Sequence, residues 1–322
     1  MQPPRISCLL PVYNGEEFLE EAIGSILSQT FRDFELVVVD DGSRDSTPAI
    51  LERMAAADPR IHVIGQANGG IVAALYTGLK ACRGEYVARM DADDVALPHR
   101  FQFQLDHLDA HPDCVLVGGV ARSVSPDGKT VSRTTGGRHR RTDLGCFPPK
   151  IAVSMHPLIT VRREALLAVG GYRSDFPHAE DYDLFIRLSK LGGIDNPDED
   201  VLIYRRHEGA ISLKHLETQE RSAAMAELDA MDAGAEGFPA WLVEPYVRLR
   251  IWRRYLSADR GKADRLLPRL VGDALTLKPE TLLSPRYFGL RTRIAGSIAA
   301  AVLRQARRPR LAPAAPAAQG AG

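Results

Sequence analysis

Short apolar runs alternate with helical periodicity through the first part of the chain, and this alternation limits the possible folds more than any other feature. Residues 6–12, 34–39, 61–64 and 86–90 are short, mostly apolar stretches, too short for helices and too apolar for half-exposed strands. They read as strands buried on both faces. Between them, residues 16–27 carry Leu19, Ile23, Ile26 and Leu27 on one helical face. A second helix spans about 46–57, and a third is entered at Asn68-Gly69-Gly70 and runs to Cys82. Strand, helix, strand, helix at this spacing predicts an α/β fold, a mostly parallel sheet covered by helices. Right-handed crossovers then place the strand ends on one rim, where open sheets bind ligands.

Beyond Pro98 the pattern predicts a helix to about 110, then a strand over 114–120 weakened by Gly118-Gly119. Residues 125–143 are polar and strongly basic at Arg138-His139-Arg140-Arg141, and read as a hairpin followed by a loop. That loop is open to two readings, a lid that closes over a bound anion or a solvated excursion. Apolar residues 151–161 resume the core. Short helices over 163–169 and 181–191 stop at Gly170-Gly171 and Gly192-Gly193. A strand over 201–204 ends at Arg205-Arg206-His207. From His215 the pattern is helical (216–231, 241–256, 266–277, 286–304), and the Ala/Pro/Gly-rich residues 309–322 are expected to be disordered.

Composition narrows the options. Lys plus Arg and Asp plus Glu are equal at 41, so charge gives no case for nucleic acid as a partner. Cys8, Cys82, Cys114 and Cys146 are isolated and read as reduced core residues of a cytoplasmic protein. No apolar stretch reaches membrane-spanning length. After Glu280 the chain has no acidic residue but many arginines flanking apolar residues 294–303. Such a helix can lie against the inner face of an anionic membrane or pack on the catalytic domain with solvated arginines.

Acidic clusters fall where elements end. Asp91, Asp93 and Asp94 follow an apolar strand; packed so closely they repel one another, unless a cation and a phosphate share the site. A solvated turn that starts the next helix is the other reading. Asp40-Asp41 and Glu180-Asp181-Tyr182-Asp183 add further carboxylates at element boundaries. Neither Gly-x-Gly-x-x-Gly nor Gly-x-x-x-x-Gly-Lys-Ser/Thr is present, which disfavours the usual dinucleotide and triphosphatase loops.

Taken together, Pro11-Val12-Tyr13-Asn14-Gly15-Glu16, Ser28-Gln29-Thr30-Phe31, Val38-Val39-Asp40-Asp41-Gly42-Ser43 and Asp91-Ala92-Asp93-Asp94 resemble the family 2 glycosyltransferases of the GT-A fold. The likeness covers about residues 5–210. It implies a GT-A catalytic domain over 1–212, with a nucleotide-binding half to about 95 and an acceptor-binding half over 96–212. A helical region over 213–308 follows. It also implies metal-dependent, inverting transfer from a nucleotide-sugar, a UDP-sugar, to a glycan or lipid-linked acceptor in surface polysaccharide or lipopolysaccharide synthesis. A nucleotidyltransferase and a non-catalytic protein of the same fold are the alternatives; the first would need a glycine-rich basic loop that residues 11–17 lack.

The resemblance assigns residues. Pro11, Tyr13, Asn14 and Glu17 would wrap the nucleoside, with Tyr13 against the base. Asp41 would accept from the uracil N–H, Asp40 would secure the loop or reach the ribose, and Asn68 would approach the nucleotide. Asp91, Ala92 and Asp93 form the motif for Mg2+ or Mn2+, with Asp93 the direct ligand, Asp91 nearer the ribose, and His207 completing the metal site. Asp94 would hold the loop through backbone N–H groups. Asp181 is the expected general base and Glu180 its reserve; the helix N-terminus and a nearby arginine would keep Asp181 ionised. Asp183 is expected to brace Arg205 or Arg206. His156-Pro157 falls where the sugar pocket is shaped, and Arg89 interrupts the apolar run before the motif.

Overall fold

The computed structural model describes residues 2–125, 128–144, 149–205, 215–232 and 240–258, with short pieces of 261–299. The chain divides into two compact units, Met1–Phe238 and Pro239–Gly322. Strands β1 (Ile6–Val12), β2 (Phe34–Asp40), β3 (Ile61–Gly65) and β4 (Tyr86–Arg89) pair in parallel in the order β4-β1-β2-β3. β1 and β2 are buried at every residue, as strands of a doubly covered sheet are, and the polar Ser7 and Glu35 within them hydrogen-bond each other. Helices α1 (Leu19–Leu27), α2 (Thr47–Ala57) and α3 (Ile71–Ala81) make the crossovers.

The sheet grows past β4 by β9 (Thr160–Arg162), β6 (Cys114–Val117) and β10 (Gly193–Asp195) to seven strands; β9 runs antiparallel to both β4 and β6. A four-stranded sheet holds β5 (Val95–Ala96), β11 (Asp200–Arg205), β7 (Val120–Val124) and β8 (Thr130–Thr135). The single strand expected over 114–120 is therefore two strands in two sheets. Gly118-Gly119 does not merely weaken it but switches sheets: Gly119 has φ +152, and a side chain on Gly118 would strike Ser154 and Asn196. β7 and β8 form the expected hairpin.

Helix α1 starts at Leu19, three residues later than the periodicity suggests. Gly15 to Phe18 form a turn (Phe18 N–H to Gly15 C=O, 3.1 Å), and Glu16 is engaged elsewhere, as described below. Helix α4 (Arg100–Ala110) follows β5, then α5 (Arg163–Ala168) and α6 (Glu180–Leu188). Helix α7 (Leu216–Asp232) packs on α6. Ala223 and Ala226 join Ile151, Phe176, Ala179 and Ile186 in one apolar cluster, and Tyr182 OH donates to the Glu227 carboxylate. The second unit holds α8 (Ala240–Ala258). Cys8, Cys82 and Cys114 are buried free thiols, pushed up to about 12 by burial. Cys146, His207, the arginine-rich stretch and residues 309–322 lie outside the described residues. No described helix is long and apolar enough to cross a membrane.

Candidate active site

Three loops leave the C-terminal ends of β1, β2 and β4 on one rim, and hydrogen bonds join the first two. Asn14 sits at φ 50, its N–H donating to Ser43 Oγ (2.9 Å) while its own Oδ1 accepts from Arg44 N–H (2.8 Å). Gly15 N–H donates to Thr47 Oγ1 and Glu16 N–H to Asp45; Glu16 in return accepts from Ser46 N–H. A Cβ built on Gly15 would stand 3.8 Å from the Cβ of Ala92, so the β1 loop lies directly beside the acidic loop after β4. Pro11 and Val12 close the buried strand β1, and Tyr13 and Glu17 are exposed on the rim.

The acidic pair after β2 works mainly on backbone. Asp40 accepts from Ser43 N–H at 3.0 Å. The Asp41 carboxylate accepts from Gly69 N–H (2.9 Å), Gly70 N–H (2.8 Å) and the Gln66 amide (2.7 Å), and Asn68 donates to the Asp41 carbonyl (2.9 Å). Asp41 thus ties the entrance of α3 to the end of β2 and caps orphan N–H groups of that helix from a distance. Gly42 between them has φ +79, and a Cβ there would meet the Asn68 backbone nitrogen at 2.8 Å. Only glycine fits so close an approach.

The loop after β4 brings carboxylate oxygens of Asp91, Asp93 and Asp94 within 4.8 Å of one another. Asp94 is fully buried, accepts from Arg205 N–H at 3.0 Å, and keeps its second oxygen without a hydrogen-bond partner. Burial and the neighbouring Asp91 and Asp93 hold it well above the usual carboxylate range. Burial likewise raises Asp91, against the pull of Arg89, whose Nη2 lies 2.5 Å from its Oδ1. Hard oxygen donors gathered this closely suit a divalent cation such as Mg2+ or Mn2+. Arg89 occupies one Asp91 oxygen.

Two buried residues under this loop went unnoticed in the sequence. Arg100 is fully buried at the start of α4 and donates to the carbonyls of Arg89 (2.6 Å) and Ile159 (3.4 Å); burial lowers it to about 10. Gln104, one turn on, donates to the carbonyls of Gly118 and Leu158 and accepts from Thr160. An Arg and a Gln four apart on the buried face of α4 were the available signal.

Across from the acidic loop stands the N-terminal turn of α6, reached through His178 at φ 63. Glu180 is buried, with one carboxylate oxygen unpartnered, and burial raises its pKa. Asp181 is half-buried and pushed up to about 6 by burial and by Glu180. Burial and Glu180 work against the helix terminus and the arginine expected to keep Asp181 ionised. Arg89 does pull Asp181 down, but lost hydration and the adjacent carboxylate outweigh it, leaving a group mostly ionised at neutral pH. Asp183 is held by Arg173 and by Arg187 (2.6 Å) rather than by Arg205, and Arg206 lies outside the described residues. Arg205 instead meets Glu21 at 2.5 Å.

The basic loop, open to a lid or a solvated reading, is tied down at Arg140. Arg140 pairs with Asp195 and, at 2.8 Å, with Asp113, so this arginine is not available to a lid. His156 opens a 3-10 turn (His156–Leu158), buried and hydrogen-bonded to Tyr172 OH at 2.8 Å, and burial holds it well below the usual imidazole range.

Comparison with known proteins matches this geometry. The profile of "Glycosyl transferase family 2" covers residues 7–170. An uncharacterized glycosyltransferase of Haemophilus influenzae is 29% identical over 235 residues, 68% of this chain and 71% of that protein. The amylovoran biosynthesis glycosyltransferase AmsE of Erwinia amylovora is 33% identical over 189 residues, 58% of this chain and 70% of that protein. Chondroitin synthase of Escherichia coli is 28% identical over 68% of this chain, which spans only 31% of that larger protein. Among solved structures, S. aureus TarS 1-349 in complex with UDP-GlcNAc superposes with a TM-score of 0.58 at 18% identity, over 96% of this chain and 93% of that one. A mannosyltransferase from Pyrobaculum calidifontis, in complex with GDP-Man and Mn2+, gives 0.56 at 19% identity over 95% and 88%. Both show the same GT-A α/β fold. With half of its length matched by the family profile and the strand-end carboxylates gathered on one rim, the chain is a glycosyltransferase and belongs to family 2.

Proposed function

We propose that the enzyme transfers a sugar, with inversion, from a UDP-sugar to a glycan or lipid-linked acceptor during bacterial surface-polysaccharide synthesis. One observation carries this reading: a three-carboxylate cluster suited to a cation faces a half-buried carboxylate whose pKa of about 6 suits a base working near neutrality. The rim loops after β1, β2 and β3 form the nucleoside cradle, with Tyr13 exposed against the base and Asp40, Asp41 and Asn68 shaping its floor. Asp93 and Asp91 would hold Mg2+ or Mn2+, with His207 as a further ligand. A cation bound there neutralises the two phosphates and stabilises the departing nucleoside diphosphate.

Asp181 accepts the proton of the acceptor hydroxyl as that oxygen bonds to the anomeric carbon. The bond from that carbon to the diphosphate oxygen breaks on the opposite face, so configuration inverts. Glu180, buried behind it, raises the basicity of Asp181. The names of the relatives support a polysaccharide setting, and the bound UDP-GlcNAc and GDP-Man of the neighbours support a nucleotide-sugar donor. With a lipid-linked acceptor, the arginine-rich segment after Glu280 would dock on the inner membrane surface.

The test is a panel of sugar nucleotides screened for binding and slow hydrolysis by the purified protein, with and without EDTA. Binding of one or a few UDP-sugars that EDTA abolishes is the expected result. Metal-independent binding, or hydrolysis of nucleoside triphosphates in preference to sugar nucleotides, would overturn the reading.

A further inference from the structure

Helix α1 carries polar residues at every fourth position, Glu21, Ser25 and, just past its end, Gln29, and all three hold the surroundings of the acidic loop in place. Ser25 Oγ accepts from Ala96 N–H at 3.0 Å. Gln29 donates to Leu97 C=O at 2.8 Å and accepts from Phe101 N–H at 3.0 Å. Glu21 acts through Arg205, the last residue of β11, and meets its guanidinium at 2.5 Å. That guanidinium also lies over the ring of Phe18, 5.0 Å from its centroid. The main chain of Arg205 completes the connection: its N–H donates to Asp94 Oδ1 at 3.0 Å. Asp94 is fully buried, and it offers an oxygen within 4.8 Å of oxygens from Asp91 and Asp93.

We infer that Arg205 is a positioning residue for the cation seat. Phe18 and Glu21 clamp its side chain, the clamp fixes its N–H, and that N–H orients Asp94 against Asp91 and Asp93. The inference rests on Asp91 and Asp93 holding a divalent cation, and adds what keeps their loop in register. The Arg205 side chain is 16% exposed and that of Glu21 65%. An ion pair with one partner in solvent adds little to stability, so the value of the contact lies in what it orients. Ser25, Gln29 and the pairing of β5 with β11 through Leu202 and Ile203 hold the rest of this segment without the guanidinium. Removing it therefore disturbs the Asp94 end alone. Phe18 N–H also donates to Gly15 C=O at 3.1 Å, so the clamp stands at the foot of the β1 loop and ties that loop to the acidic one. Partners that orient the ligands of a metal are commonly worth about tenfold or more in its affinity.

The experiment titrates UDP into the full-length protein by calorimetry at stepped Mn2+ concentrations, in wild type, Arg205→Ala, Arg205→Lys and Glu21→Gln. Arg205→Ala should need about tenfold more Mn2+ to reach half of its full UDP affinity, and should bind UDP as wild type does once Mn2+ saturates. Arg205→Lys, which keeps a cation between Glu21 and Phe18, should lie nearer to wild type. Glu21→Gln should shift the Mn2+ midpoint the same way by a smaller factor. Glu21 is exposed, so this variant reads the clamp should Arg205→Ala fail to fold. A Mn2+ midpoint that does not move, a UDP affinity lowered equally at every Mn2+ concentration, or a lysine variant no better than alanine would overturn the inference. Asp93→Ala keeps the two questions apart: an unchanged Mn2+ dependence in that variant would refute the cation seat itself, whatever Arg205 does.

Discussion

The loops after β1, β2 and β3 and the pair formed by the β4 loop and α6 border the same rim but are built on opposite principles. In the first region the polar contacts are hydrogen bonds between neighbouring loops: Asn14 to the Ser43–Arg44 turn, Glu16 to Ser46, Asp41 to Gly69 and Gly70. In the second, buried charges crowd together, with unpartnered atoms on Arg89, Asp94 and Glu180 and raised pKa values at Asp91, Asp94, Glu180 and Asp181. A satisfied lattice is a rigid frame, as the proposed nucleoside cradle requires. A strained electrostatic cluster waits for the charges that balance it, and such clusters mark chemistry.

The sharpest way to break this contrast is Asp181→Asn. Loss of the base should cost about a hundred-fold to ten-thousand-fold in transfer and leave nucleotide binding intact, measured by turnover beside calorimetric titration. Asp93→Ala should come next, lowering kcat/KM by about a hundred-fold through loss of the cation, because charge stabilisation by the metal is worth several kcal/mol. Asp41→Ala tests the cradle instead. It strands the Gly69 and Gly70 N–H groups, and should lower unfolding free energy by about 2 kcal/mol in a denaturant titration, with weaker UDP binding.

The smallest effect is in pH. Asp181 must be ionised to accept a proton, and its pKa is raised to about 6. Activity should therefore be full above about 7, halved near 6, and about tenfold down at pH 5. An acidic limb near 4, the range of an ordinary exposed carboxylate, would mean that α6 does not supply the base.

Most of the first region was legible in the sequence, because its strands are mostly apolar runs and its turns carry their own chemistry. Gly42 and Asp40 act within three residues of each other, a range over which sequence pattern speaks. The Ser28-Gln29-Thr30 string shows why a motif can be read without being understood. Buried Gln29 donates to Leu97 C=O and accepts from Phe101 N–H, stitching α1 to the turn before α4. The charged half was legible in composition and not in pairing. Nothing local tells that Arg140 goes to Asp195 and Asp113, that Asp183 takes Arg173 and Arg187, or that Arg100 lies buried beneath the acidic loop. Those partnerships are fixed by tertiary packing, where any arginine can meet any carboxylate. Likewise the break at Gly118-Gly119 is visible as two glycines, but that it sends the chain into a second sheet depends on Ser154 and Asn196, far along the sequence.

The most direct test of the division between cradle and chemistry is one calorimetric series with UDP and Mn2+, run on wild type, Asp93→Ala and Asp181→Asn at pH 7.5. The account predicts that Asp181→Asn binds as wild type does while Asp93→Ala loses the metal-dependent part of binding. Binding abolished in Asp181→Asn and preserved in Asp93→Ala would contradict it.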